Sequence, residues 1–436
     1  MKDSKSFYTS ETQMFYERNK IVKCENEFLY DENGKKYLDM NSGTWNVILG
    51  YGRKEYNKSI DELNENVQFI PNVRFYHKEG EKLSKRIIKL LPDEYHSVFF
   101  TSGGAEAVET AIKFAKQYWF NKGYKNKNRV ISLYDSYHGS TLGALSVSGD
   151  PWDRIAYDPI LLNSLKIHPY YCYKCRLGLE KKHCNYACLN DLKWQIEFYG
   201  EENISSLIIE PIMGVGGILI PSKDWLTSLV NICHEHNILV IFDEVTSGFG
   251  RCGNYFSFLE YNVRPDIVTF GKCISNGVAP LAGTIITKNV FESFYNQNED
   301  MQFKHGFTNA GHPLSCAIGN VTLDIFEKEN IIEVIKQKEK EFSKILNDIK
   351  DKKYIGEIRI KGLMIAIELI NPSTSESLVI PNLLYKFKEK GIIMSQMTQV
   401  VNFMPSIKIT TDEFKYAIDI MIELVEDYLN IKNDTL

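Results

Sequence analysis

Two acidic residues, Asp243 and Glu244, follow the apolar run Ile238–Phe242. A run of this kind is typical of a strand buried on both faces, as in a parallel sheet. A carboxylate at the end of such a strand is costly to bury unless a cationic group meets it. The sequence therefore predicts a positively charged partner for an acidic side chain at the edge of a sheet.

A lysine, Lys272, follows a second apolar strand pattern, "DIVTF", and precedes a turn that contains Gly277 and Pro280. A lysine at a strand end among apolar residues can have a lowered pKa and act as a nucleophile. Most lysines are solvated and structural, so the position of Lys272 alone is weak evidence for chemistry. Whether Lys272 has a chemical role must be judged together with the motifs around it.

Two loops carry features of a ligand site. Gly103 and Gly104 stand between a strand pattern and a helix pattern, where close backbone approach and helix N-terminal amides favour an anion such as phosphate. Tyr137 and His138 follow the strand pattern "RVISLY", and ligands of parallel sheets bind at such strand ends. A tyrosine there can stack on a flat ring. Each feature also has a plain interpretation, a tight connection or a surface aromatic.

Four of the nine cysteines form a cluster with the spacing C-x2-C-x8-C-x3-C. Such a cluster in one loop (residues 170–190) predicts a structural zinc or iron–sulfur site, with every ligand position filled by protein. Two disulfides, or four free thiols packed in the loop, are the alternatives. The cysteines are Cys172, Cys175, Cys184 and Cys188.

Strand and helix patterns alternate through the middle of the chain, which predicts an α/β fold with a mainly parallel sheet. From about residue 320 the pattern changes to a long helical stretch, then strands and a final amphipathic helix. We therefore expect a large domain at 56–320 and a smaller domain at 321–436. The N-terminal segment 1–55 is expected to pack on the small domain or on a partner subunit.

The composition of the 436-residue chain excludes several classes of protein. A net charge of −5 argues against nucleic acid or an anionic membrane as partner. No run of apolar residues is long enough for a membrane span, and the N-terminus lacks the apolar core of a signal peptide. We expect a cytoplasmic protein.

Together, the motifs resemble the class III (subgroup II) aminotransferases, pyridoxal-phosphate enzymes of fold type I. The resemblance covers nearly the whole chain. It is carried by "TSGGAEAVETAIKFAK", "SYHGSTLGALS", "IIEPIMGVGG", "IFDEVTSGFGRCGNYF", "PDIVTFGKCISNG" and "HGFTNAGHPLSCA". It implies a large cofactor-binding domain, with a mainly parallel sheet flanked by helices, and a smaller α+β C-terminal domain.

The resemblance also implies roles for individual residues. Lys272 matches the lysine that forms the internal aldimine with pyridoxal phosphate, and Asp243 matches the carboxylate that pairs with the pyridine nitrogen. Val245 and Tyr137 would pack on opposite faces of the ring, and His138 would belong to the same cofactor-binding group. Lys272 would then carry a proton as general base and acid while an amino group passes from a donor to a carbonyl acceptor.

The phosphate group of the cofactor would be bound by Gly103, Gly104 and Ala105. Thr308 would reach the same phosphate from a neighbouring subunit, which implies a homodimer with shared active sites. Glu210 matches a glutamate of the family without an assigned role.

The chain departs from the family pattern where substrate and cofactor are contacted. Ala105 stands where a serine or threonine is common, and Thr246 where glutamine is common. Many relatives have a gating glutamate at Val215 and a carboxylate-binding arginine at Asn402. These two changes agree with each other and indicate that an α-carboxylate is not held in the usual way. Either another cation, such as Arg74 or Lys408, holds it, or the substrate is an ω-amine, an amino sugar or a bulky amino ketone. Trp45 and Asn402 are candidates for the substrate pocket.

Two alternatives to transamination remain at this point. A decarboxylase or an amino-acid epimerase on the same fold would retain Lys272 and Asp243. A metal-stapled binding protein without catalysis is the alternative of another class, and retention of both residues argues against it.

Overall fold

The computed structural model describes residues 19–72, 74–295, 299–397 and 400–433. The first 18 residues of the predicted N-terminal segment lie outside these ranges, as do residues 434–436 of the predicted C-terminal domain.

The described chain alternates strands and helices through its central part. Its strands are β1 (Ile21–Glu25), β2 (Phe28–Asp31), β3 (Lys36–Asp39), β4 (Tyr95–Thr101), β5 (Arg129–Leu133), β6 (Leu165–Ile167), β7 (Ile204–Ile209), β8 (Leu239–Asp243), β9 (Ile267–Phe270), β10 (Ala282–Thr287), β11 (Ile355–Lys361), β12 (Met364–Leu369), β13 (Ile392–Ile393), β14 (Ser395–Met397) and β15 (Val400–Phe403). Its helices are α1 (Ser42–Trp45), α2 (Glu55–Glu65), α3 (Lys78–Lys89), α4 (Gly104–Asn121), α5 (Leu142–Val147), α6 (Pro151–Arg154), α7 (Leu189–Tyr199), α8 (Lys223–Glu235), α9 (Lys288–Glu292), α10 (Pro313–Lys328), α11 (Ile331–Ile349), α12 (Leu383–Glu389) and α13 (Thr411–Asn433).

A seven-stranded sheet in the order β4-β10-β9-β8-β7-β5-β6 forms the centre of the molecule. Only β10 runs antiparallel to its neighbours, so the sheet is mainly parallel, as predicted. Every residue of β7, β8 and β9 is buried, which explains why their sequences are continuous apolar runs rather than alternating ones. The carboxyl ends of β4, β5, β7, β8 and β9 meet at one edge.

Two four-stranded sheets accompany the central sheet. In one, β3 pairs in parallel with β13, so the described part of the N-terminal segment shares a sheet with the C-terminal part of the chain. The other has the order β11-β12-β15-β14 and is antiparallel. The exact domain boundaries stay a prediction, since α10 continues across residue 320.

The long helical stretch of the sequence is two helices. α10 ends before Asn330, which has the left-handed φ of 50°, and α11 begins directly after it. The last helix begins with the expected capping box, since the Thr410 amide donates to Glu413 Oε2 at 2.8 Å and the Glu413 amide donates to Thr410 Oγ1 at 3.2 Å. None of the described helices has the length and hydropathy needed to cross a membrane.

Candidate active site

The carboxylate of Asp243, at the end of β8, meets an imidazole. Oδ2 lies 2.7 Å from Nδ1 of His138, and both side chains are buried. Oδ1 accepts hydrogen bonds from the Thr269 hydroxyl at 2.9 Å and the Val245 amide at 3.1 Å. Asp243 is thus held rigidly at the carboxyl edge of the sheet. His138 Nε2 is buried without a hydrogen-bond partner among the described residues.

The neighbouring Glu244 turns to a different environment. It accepts hydrogen bonds from the Ser257 hydroxyl at 2.7 Å and the Phe258 amide at 2.9 Å. Burial raises the pKa of Glu244. Its role is to hold the loop that follows β8, so only Asp243 of the acidic pair faces the site.

Lys272 comes two residues after the end of β9. Because β8 and β9 are neighbouring parallel strands, this position lies close to Asp243 at the end of β8. Its backbone has a φ of 48°, an uncommon conformation for a residue other than glycine. Burial lowers the pKa of its amine to about 8. The amine donates a hydrogen bond to Thr246 Oγ1 at 2.7 Å and lies 4.6 Å from the ring centroid of Trp45. An amine with a pKa of about 8 has a much larger neutral fraction near physiological pH than an ordinary lysine, and the neutral form can act as nucleophile and proton carrier.

Glu210 comes directly after β7 and is almost completely buried beside the lysine. Burial raises the pKa of this carboxyl to about 7. Its oxygens accept hydrogen bonds from the backbone amides of Gly214 at 2.9 Å and Tyr137 at 3.1 Å. Sequence reasoning assigned no role to Glu210, but the structure shows that it fixes two loops at the edge of the sheet.

The turn between β4 and α4 is packed so closely that it requires glycine. A Cβ atom added to Gly104 would lie 2.7 Å from Cγ1 of Val245. The loop after β5 packs on the same helix start, since a Cβ atom on Gly139 would lie 2.6 Å from Cβ of Ala105. At Gly103, by contrast, an added Cβ atom would meet nothing within 4 Å. The helix N-terminus therefore adjoins open space, where its amides favour an anion.

Known proteins match the chain over nearly its full length. The family model for class III aminotransferases matches residues 8–425. The chain belongs to the class III aminotransferases. It is 33% identical to the adenosylmethionine-8-amino-7-oxononanoate aminotransferase of Methanocaldococcus jannaschii, covering 96% of this chain and 95% of the relative. It is 30% identical to the ω-amino acid–pyruvate aminotransferase of Pseudomonas putida, covering 86% and 84%.

Solved transaminase structures share the fold. An (S)-enantioselective ω-transaminase from Thermomicrobium roseum superimposes with a TM-score of 0.89 at 32% identity, covering 94% of this chain and 93% of the other. An amine transaminase from an uncultivated Pseudomonas species, solved with pyridoxal phosphate, gives a TM-score of 0.90 at 27% identity, covering 97% and 98%. The predicted fold type I architecture is confirmed, and transamination with pyridoxal phosphate is the function of the family.

The residues of this aminotransferase fit that cofactor. Cβ atoms added to Gly104 and Gly271 would approach Cγ1 of Val245 to 2.7 and 3.4 Å, so the two glycines leave room for the Val245 side chain at the edge of the sheet. Half-buried Tyr137 lies in the loop after β5, with its hydroxyl 3.0 Å from that of Ser140. Bound pyridoxal phosphate supplies an electron-withdrawing ring that makes a substrate C–H bond acidic.

An apolar wall lies next to the lysine and contains both predicted substrate residues. Trp45 is buried and packs with Val400 and Met404 of the C-terminal part. Asn402 lies between these two residues on the same face of the strand, as the two-residue period requires. It is fully buried, and neither of its amide atoms has a hydrogen-bond partner among the described residues. The remaining members of the wall are Ile212, Val215, Ile218, Ile220, Cys252, Met364 and Ala366.

Arg251 joins the segment around Trp45 to the C-terminal part of the chain, and sequence reasoning missed its role. The side chain is completely buried and donates to the carbonyls of Pro405 at 2.7 Å and Trp45 at 3.2 Å. It also donates to the Ser42 hydroxyl at 2.9 Å. An arginine in a glycine-rich turn gave no signal of burial, because arginine is rarely buried completely.

Thr308 is exposed on the surface of the chain. Its predicted role depends on a second subunit and stays a prediction.

The cysteine-rich loop lies between the cofactor edge and the C-terminal sheet. Arg176 binds Asp135 with distances of 2.6 and 2.7 Å, while Lys174 lies 3.6 Å from Glu368. The four thiols line one cavity of about 30 Å³. No group of three or more His, Cys, Asp or Glu side chains in the described ranges is arranged to hold a metal ion. The four cysteines share a cavity without forming such a group in this structure, and the metal centre stays a prediction.

Proposed function

We propose that this aminotransferase moves an amino group from an amine or ω-amino donor to a carbonyl acceptor, with Lys272 as the group that carries the proton. One observation supports this role above others. Lys272 is partly buried, has a pKa lowered to about 8 by desolvation, and follows the strand next to the one that ends in Asp243. Such an amine can accept a proton from a substrate carbon and then return it.

The cofactor contacts follow from the same geometry. Asp243 would hold the pyridine nitrogen, since its carboxylate is already oriented by His138 and Thr269. Val245 and Tyr137 would pack on the two faces of the ring. The phosphate would lie at the start of α4, where Gly103, Gly104 and Ala105 present the helix N-terminus.

The wall beside Lys272 supports a donor that is not held by an α-carboxylate. Its members are apolar apart from Asn402, which is uncharged, and Val215 contributes a further apolar side chain. A carboxylate against such a wall would lack the charged partner that its burial requires. Two relatives have names that agree with such a donor, since they include ω-amino acids and β-alanine. A third relative is named for adenosylmethionine, an α-amino acid, and the amino ketone 8-amino-7-oxononanoate.

A donor screen tests the proposal. The enzyme loaded with pyridoxal phosphate is mixed with single donors, and conversion of the cofactor to pyridoxamine phosphate is measured by chromatography. The panel contains α-amino acids, ω-amino acids, diamines, amino sugars and S-adenosylmethionine, with pyruvate and 8-amino-7-oxononanoate as acceptors. We expect ω-amino compounds or amines to react at least about tenfold faster than simple α-amino acids, which corresponds to about 1.4 kcal/mol. Faster reaction of α-amino acids would contradict the proposed substrate class.

The same screen with Lys272→Ala tests the role of the lysine. We expect conversion of the cofactor to fall by about 10²- to 10⁴-fold, the usual contribution of a general base. Lys288→Ala is the matched control, because Lys288 is exposed and lies outside the site. Equal activity of Lys272→Ala and the control would show that another group carries the proton.

A homodimer with shared active sites is supported by exposed apolar side chains in α6 and in the segment that leads from it to β6. Trp152, Ile155, Ile160 and Leu162 are 77%, 78%, 63% and 70% exposed, an unusual density for a monomer surface. Thr308 is exposed as well and would contact the phosphate of the partner. Light scattering should give twice the chain mass of 50.3 kDa. A monomer at micromolar concentration would exclude the shared site.

Metal binding by the cysteine-rich loop remains a prediction. Its support is the cluster itself and the N–H group of Trp225, which donates to Cys188 Sγ at 3.1 Å as such groups do around metal thiolates. Metal analysis after anaerobic purification without chelator should find about one zinc per chain or the iron of a cluster. A metal content below about 0.2 equivalents per chain would exclude metal binding by this loop.

A cytoplasmic location is supported by the state of the cysteines. All nine are free, which is typical of a reducing compartment. Fractionation of cells that express a tagged chain would test the location.

A further inference from the structure

The hydroxyl of Thr246 lies where it can hold the Lys272 amine. Nζ donates to Oγ1 at 2.7 Å, Thr246 is buried, and Lys272 is partly buried. The methyl group of Thr246 faces Gly214, where an added Cβ atom would lie 3.3 Å from Cγ2. A β-branched side chain has few rotamers, so packing of the methyl group keeps the hydroxyl directed at the amine.

The indole ring of Trp45 forms the second side of this position. Its face lies 4.6 Å from the Lys272 nitrogen, a distance at which an ammonium group is attracted to the ring. The ring is held at its N–H group, which donates to Asn41 Oδ1 at 2.8 Å. Its backbone carbonyl is held by Arg251 at 3.2 Å. Trp45 is therefore fixed from two directions.

The two nearby carboxylates are occupied by other donors. Glu210 accepts from the amides of Tyr137 and Gly214, and Asp243 is held by His138 and Thr269. The hydroxyl of Thr246 is thus the acceptor that receives the free amine.

We propose that Thr246 and Trp45 form the resting position of the Lys272 amine while the lysine is detached from the cofactor. The inference rests on the proposed role of Lys272 as proton carrier. A detached lysine has a flexible stem, so its nitrogen reaches the reacting carbon reproducibly only if it is held between proton transfers. Thr246 is a positioning residue, because it acts through Lys272.

Chemical labelling of the apoenzyme tests the position without the reaction. Lys272 is acetylated at a series of pH values, and its labelling is measured by peptide mass spectrometry. The Thr246 hydroxyl accepts a hydrogen bond from the Lys272 amine, and this bond stabilises the ammonium form more than the neutral amine. Its removal in Thr246→Val should lower the apparent pKa of Lys272 by about one unit. Thr246→Ser should restore the value. Thr322→Val, which alters a buried hydroxyl in α10, is the matched control and should change nothing.

Steady-state kinetics of the holoenzyme provide the second measurement. Thr246→Val should lower kcat by about 10- to 100-fold with KM within about twofold, since a misplaced base slows proton transfer and leaves substrate binding intact. Thr246→Ser should recover most of kcat. An unchanged labelling pKa in Thr246→Val, or equal loss of kcat in the valine and serine variants, would overturn the inference. Full activity of Lys272→Ala would instead overturn the role of the lysine, so the two failures are distinguishable.

Discussion

His138 and Asp243 form a buried imidazole–carboxylate pair, with Nδ1 2.7 Å from Oδ2. The acid at the end of the β8 strand therefore has a partner within the chain before any cofactor binds. The pair orients one carboxylate oxygen, while Thr269 and Val245 hold the other. A ligand that meets this carboxylate meets a preorganised acceptor.

Asp243→Asn should weaken cofactor binding. The amide lacks the negative charge that favours a protonated pyridine nitrogen, so we expect the Kd of pyridoxal phosphate to rise about 10- to 100-fold. Titration of the apoenzyme with the cofactor measures this change. Asp224→Asn, at an exposed position of α8, should leave the Kd unchanged. A Kd of Asp243→Asn within twofold of the wild type would remove Asp243 from the cofactor site.

Glu210 should make stability depend on pH. Burial raises its pKa to about 7, above the ordinary value of 4.5, so the folded state binds this proton more tightly than the unfolded state does. Its stabilising contribution is complete below about pH 4.5 and is lost as the pH rises through about 7. The Tm of the wild-type apoenzyme, relative to Glu210→Gln, should therefore fall between about pH 4.5 and 7 and stay level above that range.

The exposed Glu235 provides the control for this pH dependence. The Tm difference between wild type and Glu235→Gln should stay constant over the same range. A constant difference for Glu210→Gln as well would mean that Glu210 titrates normally.

Asn402→Leu should stabilise the apoenzyme. The variant keeps the approximate size of the side chain and removes two buried polar atoms without partners, so the free energy of unfolding should rise by about 1–3 kcal/mol. Denaturant titration measures this value. Asn320→Leu should lower the free energy of unfolding, because the Asn320 amide donates hydrogen bonds at 3.0 Å to the backbone oxygen of Glu79 and to its Oε2. A loss of stability in Asn402→Leu would show that its amide is satisfied.

Arg251→Lys should destabilise the protein by at least about 2 kcal/mol, because an ammonium group cannot bridge acceptors that the planar guanidinium reaches together. The surface Arg264, paired with Glu94 at 2.6 Å, offers a matched substitution whose effect should stay within about 1 kcal/mol. Equal effects of Arg251→Lys and Arg264→Lys in denaturant titrations would show that the buried contacts contribute little.

Local pattern determined much of the fold and of the cofactor site. The apolar runs before Asp243 and Lys272 are buried parallel strands, because only residues buried on both faces lack alternation. The capping box at Thr410 also forms as its local sequence dictates. These features depend on residues that are close together along the chain, so the sequence by itself predicts them.

Tertiary structure alone decided which distant groups meet. Thr246 appeared in the sequence only as a departure from a family pattern, yet its hydroxyl receives the Lys272 amine. Arg251 is buried by contacts with residues from both ends of the chain. The four loop cysteines share a cavity but do not form a ligand set, which spacing could not reveal. Such contacts depend on how separate elements pack, and packing distances are not encoded in residue spacing.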